Sequence, residues 1–395
     1  MNILFTSDHY LPTVNGIVHQ MVIIKQELEK RGHKVIVVAP KCDNYDKVEK
    51  NVIYVPSVPF FMRPQDRLSA PFNKEIDNIL DNLEIDIVHS HSILIGSFIG
   101  TKTAKKKKIP NVFTLHTPFQ EYTKWLFPWL AGITPPITNL ILQMSLKPFD
   151  LVIAPSKKAV RHLKRAKVKA PISMIHNGIE LEKIKQIPAH LFLKKYKLNP
   201  DDPLLVLVGR IDRGKNVHLA IKAMKKVIQK FPKTKLMIIG DGLQRESMDR
   251  LIKRLKLGNN VFITGFIEHD LVISANKAAT LALMTSDSDT LPTVAIEAIA
   301  CGKSMVAVND EAITAIIKNG MNGILTKKKA PEIATAIIKL LKTSHIRKGY
   351  EKNSLQIAPN FSVEKYVDEL EKVYSELIHK KSSYGSKKKS EKDRE

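Results

Sequence analysis

A chain of 395 residues is long enough for two cores, since one core rarely grows past about 250–300 residues. Its 63 Lys and Arg against 39 Asp and Glu give a net charge of +24, an excess that either attracts polyanions or merely solvates the surface. The two cysteines, Cys42 and Cys301, are too far apart in sequence for a disulfide framework or a cysteine metal site, so a reducing cytoplasm is the expected compartment.

In chain order, MNILFTSDHY lacks the basic n-region and apolar h-region of a signal peptide and reads as a first strand. It leads into DHYLPTVNGIVHQM, where Gly16 follows a Pro-Thr-Val-Asn turn and opens an amphipathic helix. A backbone without Cβ at that point can approach a phosphate closely; otherwise the loop is an ordinary strand-to-helix connection. The β-branched runs KVIVVAP, NVIYVP, IDIVHSH, NVFTLH, LVIAPS and ISMIHNG follow, separated by helical patterns. Lys102 and Lys105–Lys108 form one basic cluster; Lys157, Lys158, Arg161, Lys164, Arg165, Lys167 and Lys169 form another.

His116 ends the NVFTLH run. A strand-end histidine can hydrogen-bond a substrate or be a satisfied structural residue, and its position alone leaves both readings open. It starts HTPFQEYTKWLFPWLAGITPPITNLILQMSLKPFD, which holds both tryptophans, Trp125 and Trp129. Pro128, Pro135 and Pro136 break the apolar run, so it does not read as a membrane span. It suits either a protein core or a bilayer interface. The flanking basic clusters favour an anionic leaflet, where each Lys or Arg contributes about 1 kcal/mol. An earlier loop, VPFFMRPQDRLSAPF, is likewise apolar and basic.

Residues 179 to 202 are a polar, Pro-punctuated connection with a short helix, and a second strand series follows: PLLVLVGR, KLMIIGDG, NVFITGF, ATLALMTS, SMVAVND and GILTK. The first runs into GRIDRGKN, nearly a phosphate-binding P-loop, but Asn216 stands where Mg²⁺ ligation needs a Ser or Thr hydroxyl. Arg210 and Lys215 can still clamp a diphosphate at a helix entry, or be two solvated cations beside a tight turn. In SDSDTLPTVAIEA, Pro292 marks a first helical turn whose N–H groups suit phosphate oxygens. Glu297 can accept from two adjacent sugar hydroxyls or simply favour the helix dipole. Asp287-Ser288-Asp289 spells a DxD, which is either a metal-holding pair or a polar cap.

Strands alternating with helices predict α/β architecture: two doubly wound, Rossmann-like parallel-sheet domains facing across a cleft. The expected boundaries are 1–180 and 181–360, then a C-terminal helix at 361–380 crossing back to the first domain and a basic disordered tail at 381–395. Ligands in such sheets sit beyond the C-terminal ends of the strands.

Together these pieces resemble the retaining GT-B glycosyltransferases of the E-x7-E group (family 4 type). The resemblance rests on the Pro-x-x-x-Gly loop at 12–16, His116, the NGI at 177–179, VGR-x4-K at 208–215, GDG at 240–242, and D-x7-E at 289–297 followed by AIACG. It implies a GT-B fold with an N-terminal acceptor domain and a C-terminal domain for the nucleotide sugar. It gives Arg210 and Lys215 the donor diphosphate, with Gly16 and the turn of Leu291, Pro292 and Thr293 adding backbone donors. Glu297 would hold the ribose hydroxyls, while Asp289 and His116 contact the donor sugar. The family usually has Glu where Asp289 stands, and a glycine pair where this chain has Asn15-Gly16.

The HTPFQEY run looks like that of bacterial diacylglycerol glucosyltransferases. That resemblance implies transfer of glucose from UDP-glucose to 1,2-diacylglycerol, giving an α-glycolipid, by a peripheral protein on the inner face of the cell membrane. Gln120 or Glu121 would orient the acceptor hydroxyl, and Trp125 and Trp129 would meet the membrane. No cofactor or metal is required, with Mg²⁺ at most an activator. A same-fold enzyme acting on phosphatidylinositol or a cell-surface glycan is the alternative, and a P-loop NTPase a further one. Nucleic acid is not an expected partner, since no aromatic-basic motif, zinc spacing or helix-turn-helix pattern supports it.

Overall fold

Runs such as ILF and VIVVA can hide every side chain only if a sheet is covered on both faces, as parallel sheets are. In the computed structural model, which describes residues 1–13, 15–42, 49–60, 63–70, 72–116 and 134–392, Ile3, Leu4 and Phe5 are fully buried. Every β-branched run named above forms a strand. In chain order they are β1 (Asn2–Thr6), β2 (Lys34–Pro40), β3 (Val52–Val55), β4 (Ser57–Phe60), β5 (Arg63–Ser69), β6 (Ile87–Ser90), β7 (Asn111–Thr114) and β8 (Leu151–Ala154). They continue with β9 (Ile172–Met174), β10 (Leu204–Val208), β11 (Lys235–Ile239), β12 (Val261–Ile263), β13 (Leu281–Met284), β14 (Met305–Val308) and β15 (Gly323–Thr326).

The chain divides into two compact units, one of Met1–Gly178 with Val363–Glu395 and one of Ile179–Ser362. The first holds a seven-stranded sheet in the order β3-β2-β1-β6-β7-β8-β9, the second a six-stranded sheet in the order β12-β11-β10-β13-β14-β15. All pairings within these two sheets are parallel, with Phe5 opposite both Val37 and His89, and Leu207 opposite both Ile238 and Leu283. In each sheet the winding reverses beside the first strand, at β1/β6 and at β10/β13, which opens a crevice at the C-terminal strand ends.

Two segments depart from the expected elements. The VPFFMRPQDRLSAPF run contributes most of two antiparallel strands, β4 and β5, in which Ser57 pairs with Ser69. Its backbone polar groups thereby find partners that an apolar loop would lack. The connection at 179–202 holds two short helices, Leu181–Gln186 and His190–Lys195.

Crossing between the units occurs at the NGI. A Cβ on Gly178 would lie 2.7 Å from the Val363 Cα, and the Ile179 N–H donates to the Phe361 carbonyl at 2.9 Å. The outgoing and returning strands of chain therefore run side by side, close enough to exclude any side chain at Gly178. The returning helix, Val363–Lys392, runs into the segment expected as a tail. Tyr366, Val367, Leu370 and Tyr374 pack among Phe5, Met21, Ile24 and Leu28 of the first unit. Arg31 fastens the same face, meeting Asp368 at 2.6 Å and Glu371 at 2.8 Å.

Candidate active site

In the second unit, β10 ends at Gly209, whose φ of +147° suits glycine. Gly240, at the end of β11, packs so tightly that a Cβ there would lie 2.2 Å from the Gly209 carbonyl oxygen. Arg210 leaves this turn with its guanidinium 3.2 Å from Asp212. Lys215 ends a single 3-10 turn, Arg213–Lys215, and its Nζ pairs with Asp289 Oδ1 at 2.5 Å. The candidate diphosphate cation and the candidate sugar ligand thus form one ion pair, brought from the ends of two adjacent strands.

Asn216 holds the two loops together. Its amide donates to the Thr285 carbonyl at 3.2 Å and to Asp287 Oδ1 at 3.0 Å, and the Thr285 hydroxyl returns a bond to the Lys215 carbonyl at 2.7 Å. Asn216 is buried and left-handed, at φ +51°, a conformation asparagine tolerates better than most residues. A Cβ on Gly214 would lie 2.5 Å from the Ser288 hydroxyl, so the loops touch. Asp287 also receives Lys328 at 2.7 Å. Both acids of the DxD are therefore neutralised by side-chain donors of this chain.

The helix Thr293–Ala300 begins after Pro292 without a side-chain cap, which leaves first-turn N–H groups suited to an anion. Leu291 and Pro292 are buried beneath that turn and Thr293 is half-buried. Glu297, inside the helix and 4% exposed, accepts from His269 Nε2 at 2.8 Å. That bond raises the His269 pKa.

In the first unit, Asn15 caps the helix Gly16–Lys30 through the Val18 N–H at 2.9 Å, and Gly16 sits exposed with open space around its Cβ position. At the β1/β6 switch, Asp8 accepts from the Leu94 and Gly96 N–H groups at 3.1 and 2.8 Å. It therefore caps the helix Ile95–Lys107 from a neighbouring strand end. Gly96 lies so near that a Cβ would meet the Ser7 backbone at 2.8 Å.

His116 belongs to a stack of three imidazoles. Its Nε2 lies 3.0 Å from His91 Nδ1, and the His91 and His89 ring centroids are 4.2 Å apart. His89 is fixed on both sides, by the Tyr374 hydroxyl at 2.5 Å and the Thr114 hydroxyl at 2.6 Å. Burial lowers the His116 pKa to about 4 and the His89 pKa to about 3. Burial, aided by His89 and His116, also takes His91 well below its ordinary value. At neutral pH all three are uncharged, suited to sharing a hydrogen bond with a hydroxyl.

The structure thus joins Lys215 with Asp289 and sets Glu297 on the following helix. Gln120, Glu121, Trp125 and Trp129 lie outside the described residues. Sequence reasoning missed Asn216 as a clamp, His269 as the partner of Glu297, and the contribution of His89 and His91. The His-Ser-His at the end of β6 was the available signal: alternate residues of a strand share a face.

Two doubly wound parallel-sheet units are the architecture of the GT-B glycosyltransferases, enzymes that use a nucleotide sugar. Residues 190–377 match the model for Glycosyl transferases group 1 and residues 14–183 that for Glycosyltransferase Family 4, and the chain belongs to this class. It is 27% identical to the alpha-monoglucosyldiacylglycerol synthase of Acholeplasma laidlawii, over 98% of this chain and 100% of that one. The enzyme of the same name from Streptococcus pneumoniae is 29% identical over 82% of this chain and 74% of its own. Among solved structures, the sucrose-phosphate synthase of Thermosynechococcus elongatus shares the fold, with a TM-score of 0.79 at 19% identity over 96% of this chain and 99% of its own. Anabaena HepE in complex with UDP-glucose also shares it, with a TM-score of 0.76 at 20% identity over 95% and 100%. Among the described residues, no helix is long and apolar enough to cross a membrane.

Proposed function

We propose that this chain transfers glucose from UDP-glucose to 1,2-diacylglycerol with retention of configuration, giving an α-glycolipid at the cytoplasmic face of a membrane. The observation that carries the reading is the end-to-end similarity to an alpha-monoglucosyldiacylglycerol synthase, 27% over 98% of this chain. The charge pattern agrees with it. Lys215 and Arg210 neutralise the diphosphate as the bond from its oxygen to the sugar C1 breaks, aided by first-turn N–H groups near Leu291, Pro292 and Thr293. The acceptor oxygen bonds to C1 from the same face, and its proton passes to the departing phosphate oxygen, so no carboxylate nucleophile is needed. Asp289, already paired with Lys215, binds sugar hydroxyls beside the diphosphate, and Glu297 binds those of the ribose. Gly16 and His116 belong to the other unit; their donor roles rest on the resemblance and are tested by substitution.

The test is a screen of UDP-, GDP- and ADP-sugars against liposomes containing diacylglycerol, phosphatidylinositol or neither, with the product anomer read by NMR. An α-glucosyl lipid made from UDP-glucose and diacylglycerol is expected. A β-anomer, or transfer only to phosphatidylinositol or a glycan, would overturn the reading.

A further inference from the structure

His91 is a polar ring in a place that apolar packing alone would fill. It follows β6 and is fully buried, with its backbone N–H bonded to the Thr6 carbonyl at 2.9 Å. Its ring meets the Phe5 ring edge-on at 4.6 Å between centroids and lies 4.2 Å from the His89 ring. His89 has no nitrogen to spare for it, since the Tyr374 and Thr114 hydroxyls occupy both. Among the described residues, the polar group that meets the His91 side chain is His116 Nε2, 3.0 Å from His91 Nδ1. The other nitrogen, His91 Nε2, is buried with no hydrogen-bond partner.

That unmet atom decides which ring donates. The His91 and His116 planes are inclined by 24° with centroids 5.3 Å apart, which suits an N–H of one ring meeting the lone pair of the other edge to edge. Burial lowers both pKa values, so each ring is neutral at neutral pH and carries one proton. If His116 Nε2–H donated, His91 would carry its proton on Nε2 and strand a buried N–H. If His91 Nδ1–H donates, the unmet His91 atom is a bare nitrogen and no donor is stranded. Stranded buried N–H groups are the rarer defect in folded proteins. The second arrangement leaves His116 with its proton on Nδ1. An N–H there suits the oxygens of a nucleotide sugar, hydroxyl and phosphate alike, whereas a lone pair would repel a phosphate oxygen.

We propose that His91 is a positioning residue for His116: its Nδ1–H fixes the His116 ring plane and keeps the His116 proton on Nδ1. His89, held by Tyr374 and Thr114, is the platform against which the His91 ring is set. The consequence for transfer rests on the reading of His116 as a donor-sugar contact; the tautomer does not.

The experiment uses the full chain, isotopically labelled in its histidine ring nitrogens and read by NMR, with His116 assigned from the signals that His116→Ala removes. Transfer from UDP-glucose is measured in diacylglycerol–detergent micelles for wild type, His91→Phe, His91→Asn, His116→Ala and His91→Phe/His116→Ala. Phenylalanine keeps a ring and removes both nitrogens, while asparagine restores an N–H donor near the Nδ1 position. Wild-type His116 should carry its proton on Nδ1. His91→Phe should lose that single tautomer and about 10- to 100-fold of kcat/KM, and His91→Asn should recover most of both. With His116 already replaced, His91→Phe should cost nothing more. A wild-type proton on His116 Nε2 would overturn the proposal, and that observation needs no variant to fold. So would losses from His91→Phe and His116→Ala that multiply, the mark of a merely structural residue. Unchanged kcat/KM in His116→Ala would instead remove His116 from the donor site and leave the tautomer standing. Absent transfer by wild type would sink the UDP-glucose and diacylglycerol reading, with the tautomer still decided by NMR.

Discussion

Lys215 and Asn216 are adjacent and do different work. Lys215 is aimed at charge, so Lys215→Ala should lower kcat by about 10²- to 10³-fold, the loss typical of one transition-state donor, while the unfolding midpoint shifts little. Asn216 is structural: Asn216→Ala removes bonds to Thr285 and Asp287 and should cost about 1–3 kcal/mol of stability in denaturant titrations. Asn216→Gly should cost less, because the position is left-handed and alanine would add backbone strain. If Ala and Gly prove equal, the backbone argument fails. The acids of the DxD are occupied by Lys215, Asn216 and Lys328, so transfer should persist in EDTA. Complete loss that Mg²⁺ reverses would return this motif to metal binding.

At the scale of elements, two glycines at helix starts make opposite predictions. Gly96 faces the Ser7 backbone, with 2.8 Å to a would-be Cβ. Gly96→Ala should therefore force the helix Ile95–Lys107 off the sheet and cost about 1–3 kcal/mol, read as a lower unfolding midpoint. Gly16 faces open space, so Gly16→Ala should leave stability unchanged or slightly raised. If a diphosphate oxygen approaches that backbone, the same variant should raise the KM for the nucleotide sugar; an unchanged KM would remove Gly16 from the donor site. Sequence alone treated Gly16 as special and passed over Gly96, because nothing local announces a strand end packed against a helix start.

Across the whole molecule, the returning helix makes the chain's end part of its beginning. Truncation after Ser362 removes Tyr366, Leu370 and Tyr374 from the first core. It should expose apolar surface in that unit alone, read as dye binding and early proteolysis at 1–178 with 179–362 protected. Acid should act on the same unit. His89 and His116 titrate near 3 and 4 instead of the ordinary 6.5, so the unfolded chain takes up protons that the folded one refuses. The stability they contribute is present above about pH 6.5 and is lost as pH falls toward 4 and then 3. Limited proteolysis of residues 1–178 across a denaturant series can follow the midpoint of this unit. His89→Gln should flatten its pH slope, and an unchanged slope would locate the acid sensitivity elsewhere.

The sequence by itself determined the strands of the two parallel sheets, their order of appearance, the α/β architecture and the family resemblance, though not the β4–β5 hairpin. Those features come from local patterns: β-branched runs, helix starts after Gly or Pro, and cations at fixed spacing. It also named Lys215, Asp289 and Glu297 individually. Only the tertiary structure decided that Lys215 and Asp289 form one pair. Their residues lie 74 positions apart, and it is the β10–β13 adjacency that brings them together. The same holds for His89 under Tyr374, 285 positions away, and for the helix Thr134–Leu146, which buries Leu142 and exposes Leu140. By sequence an apolar helix suits a core or an interface alike, and only packing shows which of its residues are buried.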